Sequence, residues 1–367
     1  MVSTHTLALA TSFAKLAEDK PTWNANQREV ADRLVGHARR LADDEPAALP
    51  RALLDAVRHD DSLLTLARGL PPLLDCLRDA DDSQNANSPN GTCLRKIEDD
   101  LATLLGHRQE TYFGVIMMDG DRMGAWLSGE SAETSLPYKA TWHPQVCTEV
   151  EKLAGSAGPL REYIDSRRPA SPARHAFISG ALNHFSLHVV RHIVEVIGKG
   201  RLVYAGGDDV LALVAVDDLL PTLMLLRAAY SGWGDVGATL KDRMRDLEIG
   251  RGYVKLHGRV FPAMGRRSTA SAGAVVAHYS APLARVLAAA HEAEQQAKHA
   301  GRNRFSLRVL KRGAGAVGLT ATYWKVSTHG ADHSINDDAV PPPPIEDAAG
   351  GVLMRLSDAL ANSFGQD

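Results

Sequence analysis

At 367 residues the chain has room for two or three domains and an ample core. Its 41 Lys and Arg against 44 Asp and Glu leave a net charge of −3, which excludes a strong global attraction for nucleic acid. Cys76, Cys93 and Cys147 form no CxxC pair, and no twenty-residue apolar span or signal-peptide core is present. A soluble protein of the reducing cytoplasm is therefore expected.

Residues 1–110 lack strand alternation and read as a helical domain, with helices over 25–43, 47–58, 62–78 and 92–106. A polar stretch from Asp79 to Gly91 separates the last two. Tyr112 to Met118 is a continuous apolar run, the pattern of a buried strand, and it ends in Asp119-Gly120-Asp121. Arg161, Arg167, Arg168 and Arg174 form one basic cluster, and Arg243, Arg245 and Arg251 another. Charged helices and loops also produce such clusters.

Over 176–197, Ile178, Leu182, Phe185, Val189, Ile193 and Val196 make a helical apolar stripe. Ser179, Asn183 and Ser186 border one edge, either as contacts to a base or ribose or as ordinary boundary polarity. His184, His188 and His192 border the other. Without an acid at matching spacing, these read as a surface stripe and not as a zinc pair.

Leu202 to Leu213 reads as a β-hairpin, with Gly206-Gly207 at the turn and Asp208-Asp209 where the second strand begins. Ser268 to His278 is a strand of small residues, which would let a substrate or a neighbouring backbone approach closely. Leu283, Leu287, Ala290, Ala293 and Ala297 mark a helix that Gly301 stops, with Lys298 near its end. The stretch 313–351, rich in Gly, Asp and Pro, reads as a loop or linker, and a short helix is expected near 352–363.

The chemistry lies in the acids. Two carboxylates at one hairpin tip repel each other, and a divalent metal removes that cost. Asp119, at the carboxyl end of a central strand, suits the third corner of a two-metal nucleotidyl-transfer site. The Gly120 carbonyl is a further oxygen ligand of the kind Mg²⁺ and Mn²⁺ favour. Lys298 is placed to reach nucleotide phosphates, or is an ordinary solvated lysine. Adjacent strand residues point to opposite faces, so Asp208 and Asp209 need not both be ligands unless the turn breaks the alternation. Asp121 is left as a ligand or as a residue behind the ligands.

The order of strand-DxD, helices, GGDD hairpin, small-residue strand and Ala-Lys-x-x-Gly-Arg-Asn-Arg resembles the palm of nucleotide cyclases. Diguanylate cyclases share the plan, but carry phenylalanine where this chain has Val210. The chain is more similar, over roughly residues 110–312, to the polymerase-like large subunit of type III CRISPR–Cas complexes, particularly the Cmr (III-B) type. Met118 to Gly124, Ile178 to Phe185, Tyr204 to Leu211 and Ser271 to Tyr279 carry the likeness. It implies an α/β (α+β) fold: a ferredoxin-like palm over 111–312, a helical domain over 1–110, and the start of a C-terminal helical region at 352–367.

The implied activity is polymerisation of ATP into cyclic oligoadenylates. Asp119, Asp208 and Asp209 would be catalytic, with metal on these and Gly120, and with Gly206, Gly207, Ser179, Asn183 and Lys298 at the nucleotide. The implied partners are other Cmr-type effector subunits, CRISPR RNA and target RNA. His59-Asp60 reads as a helix terminus and not as part of an HD nuclease, and that domain and a first palm are expected to be missing. Two other readings stand beside this one: a non-catalytic palm scaffold, and a cyclase outside CRISPR.

Overall fold

The computed structural model describes residues 2–81, 88–129, 134–234, 236–244, 246–311 and 315–323. Arg245, most of the expected 313–351 linker and the expected 352–363 helix lie outside the described residues.

Among the described residues, nine strands form two sheets: β1 (Tyr112–Gly120), β2 (Gly200–Gly206), β3 (Asp209–Ala215), β4 (Leu247–Gly250), β5 (Tyr253–Leu256), β6 (Arg259–Pro262), β7 (Ala270–His278), β8 (Arg304–Leu310) and β9 (Ala316–Thr322). The main sheet runs β2-β3-β1-β7-β8-β9, and β4-β5-β6 make a small second sheet. All neighbours in the main sheet are antiparallel except β7 and β8. The result is the mixed α/β palm expected from the sequence.

The two-residue period of a strand divides β1 between two cores. Tyr112, Ile116 and Met118 face the helices over 172–197 and Val216–Ser231, together with the small sheet. Phe113 and Val115 face the Leu283–His299 helix and the short Thr4–Ala8 helix. Both faces of β1 are covered, which is why its sequence is apolar without alternation. Gly273, in the middle of β7, lets the Leu283–His299 helix sit directly on the sheet. A Cβ there would lie 2.1 Å from the Ala290 carbonyl oxygen and 2.5 Å from the Glu294 nitrogen. The small residues of β7 thus admit a neighbouring backbone.

Helices Ala25–Asp44, Asp61–Asp81 and Pro89–Leu105 pack on one another through Leu34, Ala38, Leu66, Leu70, Ile97 and Leu101. The helix expected over 47–58 spans Arg51–Val57, beginning after Pro50. Gly69 of the Asp61–Asp81 helix packs against the Ala38 backbone. Among the described residues, no helix is long and apolar enough to cross a membrane.

Two expectations need correction, and the basic clusters find partners within the chain. Residues 316–322, placed in the linker, form edge strand β9 paired along β8. His192 is buried and not part of a surface stripe, while the rings of His184 and His188 lie 5.0 and 5.3 Å from that of Phe261. The first basic cluster is largely paired within the chain. Arg161 pairs with Asp165, Arg167 donates to Ser135, and Arg174 donates to the carbonyls of Trp126 and Thr134. Arg243 of the second cluster is likewise taken up by Asp218, at 2.5 Å.

Candidate metal centre

The hairpin between β2 and β3 is as short as a hairpin can be made. Gly206 pairs with Asp209, so the connection is Gly207-Asp208. Gly207 takes φ +64, the left-handed first position that glycine accepts without steric cost. Gly206 has a different reason to lack a side chain, since a Cβ would sit 2.2 Å from the Tyr204 hydroxyl.

The register of β1 and β3 pairs Met118 with Val210. One step further sets Asp119 opposite Asp209, and Gly120 opposite Asp208. Asp119 and Asp209 share the parity of Phe113, Val115 and Leu213, so they face the Leu283–His299 helix. Asp208 belongs to the turn and escapes that alternation. Its carboxyl fills the space over Gly120, where a Cβ would lie 2.7 Å from Asp208 Oδ2 and 2.4 Å from the Tyr230 hydroxyl. One carboxylate oxygen from each of Asp119, Asp208 and Asp209 lies within 4.8 Å of the others.

Like charges directly opposite across strands destabilise a sheet, and the titration of these acids records it. Burial pushes Asp209 up to about 6, aided by a hydrogen bond with Asp119 and by the charges of Asp119 and Asp208. Asp208 is raised as well, first by burial and then by Asp119. Lys298 answers part of the charge. Its ammonium pairs with Asp119, and with Glu294 at 2.5 Å. Burial opposes that ammonium, but Asp119 and Glu294 outweigh it and the pKa is raised.

Four carboxylates thus meet one ammonium. Such an excess of oxygen donors at the end of a rigid sheet fits Mg²⁺ or Mn²⁺, both oxygen-seeking ions.

Glu294 is the residue sequence reading missed. It stands one turn before Lys298 and is buried. The Glu-x-x-x-Lys spacing, which favours an ion pair on a helix, was the available signal. Ser179 and Asn183 are exposed on their helix, and no hydrogen bond or ion pair among the described residues joins them to the carboxylates. Asp121 turns away from the cluster. It is buried, and accepts from the hydroxyls of Thr269 and Ser271, each at 2.7 Å, and from the Asn303 N–H at 2.9 Å.

The family described as Cas10/Cmr2, second palm domain, matches residues 112–306. The CRISPR system Cmr subunit Cmr2 of Pyrococcus furiosus is 28% identical over 221 residues, which are 59% of this chain and 20% of that protein. Cmr2 of Saccharolobus solfataricus is 31% identical over 122 residues, 32% of this chain and 10% of that protein. The chain therefore spans a fifth or less of the length of these curated relatives. A cryo-EM structure of type III-B Cmr-beta bound to cognate target RNA shares the fold, with a TM-score of 0.51 at 16% identity over 88% of this chain and 34% of that one. The matched stretch is more than half of the chain and holds every strand and helix that builds the carboxylate cluster. The chain belongs to the Cas10/Cmr2 family, as a Cmr-type large subunit with a palm domain.

Proposed function

We propose that this palm is a nucleotidyl-transfer centre that joins ATP into cyclic oligoadenylates within a type III CRISPR RNA-targeting complex. The observation that carries the proposal is the convergence of Asp119, Asp208 and Asp209 at one sheet end, in a palm of this family. Asp119, with Asp208 or Asp209 and the Gly120 carbonyl, would hold Mg²⁺ or Mn²⁺. The chemistry a metal bound there would supply is a lowered pKa at an attacking 3′-hydroxyl and charge stabilisation at the α-phosphate, with pyrophosphate as the leaving group.

The residues of the chain do the positioning. The tight hairpin fixes Asp208 and Asp209, and the sheet register holds Asp119 across from them. Lys298 keeps a cation beside Asp119 and is the residue we assign to the triphosphate. Gly206 and Gly207 are assigned to the nucleotide, with open space beside Gly207 where a side chain would stand, and Ser179 and Asn183 are assigned to base or ribose. The partners proposed are other Cmr-type effector subunits, with CRISPR RNA and target RNA held through them. The Cmr-beta structure with target RNA supports that assignment.

The test is incubation with labelled ATP and Mn²⁺ or Mg²⁺, with and without the effector complex and target RNA, resolved by mass spectrometry. Oligoadenylates that vanish in an Asp208→Ala/Asp209→Ala variant are the expected result. No product under any condition, with metal still bound, would leave the palm a scaffold.

A further inference from the structure

Beneath the carboxylate cluster lies a second polar group that the proposed chemistry does not use. Asp121 is 3% exposed and accepts three hydrogen bonds. Oδ1 takes the Ser271 hydroxyl, while Oδ2 takes both the Thr269 hydroxyl and the Asn303 N–H. Its own N–H donates to the Thr269 carbonyl at 2.8 Å. One carboxylate therefore joins the end of β1, the start of β7 and the turn that enters β8.

The backbone around Asp121 is of a costly kind. Arg122, Arg302 and Asn303 have φ of 57, 62 and 50, in the left-handed region that residues with a Cβ seldom occupy. Such conformations persist where surrounding contacts over-determine them. Here the contacts are visible. The Asn303 N–H is held by Asp121, the Asn303 side chain accepts from Arg227 Nε at 2.9 Å, and Arg227 also donates to Ser231 at 3.0 Å.

The same turn ends the Leu283–His299 helix. The Gly301 N–H donates to the Lys298 carbonyl, and the Arg302 N–H to that of Ala297. Lys298 thus lies five residues before the bond to Asp121, and Asp119 lies two residues before Asp121 itself.

We infer that Asp121 is a positioning residue: its three accepted hydrogen bonds set the separation between Asp119 and Lys298, the two oppositely charged arms of the centre. It stands outside the cluster of Asp119, Asp208 and Asp209. The inference rests on the reading of the cluster as a metal–nucleotide centre, and it adds the element that holds the lysine arm in register with the acid arm.

The three donors give the role a chemical signature. The Ser271 hydroxyl can rotate from donating to accepting, whereas the Asn303 N–H cannot. Asp121→Asn, with its amide nitrogen toward Ser271, keeps an oxygen for Thr269 and Asn303. Asp121→Ala leaves the Asn303 N–H without its acceptor.

The test compares these two variants with the full wild-type chain. Mn²⁺ binding is followed by EPR titration, and exposure of Lys298 by its rate of acetylation under limiting reagent, mapped by peptide mass spectrometry. Loss of a group that orients ligands costs about tenfold or more in metal affinity. That loss is expected in folded Asp121→Ala, with several-fold faster acetylation of Lys298 and recovery of both in Asp121→Asn. Wild-type values for both in folded Asp121→Ala would overturn the inference. Should Asp121→Ala fail to fold, Thr269→Val removes one of the three bonds and must move both readouts the same way. If the wild type binds no Mn²⁺, the metal reading falls, while the Lys298 rate still decides whether Asp121 holds the two arms together.

Discussion

Two ionic clusters sit on the same palm and differ in one respect. At the far end of the hairpin, Asp218 is fully buried, with Lys199 at 2.8 Å and Arg243 at 2.5 Å. Asp217 joins them, accepting from Thr11 and pairing with Lys199 at 3.2 Å. Two acids there meet two cations. At the candidate metal centre, four acids meet one. The titration of each follows its balance. Burial alone would raise Asp218, but Lys199 and Arg243 more than offset it and its pKa is lowered. Asp209, facing other acids, rises to about 6. A network that closes on itself holds the fold, and the one that is left open is the one we propose to hold a metal.

The sharpest way to break the comparison is to remove acids from each side. Asp208→Ala/Asp209→Ala is expected to abolish oligoadenylate synthesis, measured on labelled ATP, while leaving thermal stability equal or higher. Asp218→Asn should do the reverse. Breaking the ion pairs of the fully buried Asp218 with Lys199 and Arg243 costs about 3–5 kcal/mol, read as a lowered midpoint in urea. Metal binding of the surviving folded fraction should be unchanged.

Adding the missing charge sharpens the contrast. Mn²⁺ at a hundred times its dissociation constant should stabilise the wild type by about 2.7 kcal/mol, and the double alanine variant not at all. Thermal melts with and without chelator decide this.

The smallest expected effect is that of pH without metal. Asp209 has a folded pKa above its unfolded value, so the folded state holds the extra proton between about pH 4 and pH 6. Its contribution is present below that window and is lost as pH rises through it. Since Asp209 is exposed enough for solvent to screen the effect, about 1 kcal/mol is expected, and it should disappear in Asp209→Asn. Urea titrations at pH 4.5 and pH 7.5 in chelator would measure it.

Much of this is legible in the amino-acid sequence. The apolar run of β1 declared a strand covered on both faces, and Gly206-Gly207 fixed the hairpin on which Asp208 and Asp209 depend. The sequence left open whether both acids could face Asp119, because that depends on which residues form the turn. Strands β4, β5 and β6 are four residues each, too short for periodicity to show. Strand β9 was hidden by Gly313, Gly315 and Gly318, whose composition resembles a linker while the chain pairs with β8. Asp121 could not be assigned, since its partners Ser271 and Asn303 lie 150 and 182 residues away.

Gly273 has a mechanical consequence. The helix it admits touches the sheet at Ala290 and Glu294, and Lys298 lies four residues beyond, about 6 Å along the axis. The glycine is the fulcrum of a lever, with the ammonium at its free end. One added methyl would lift the rod at its pivot and swing the charge away from Asp119, although nothing in the centre itself had been altered.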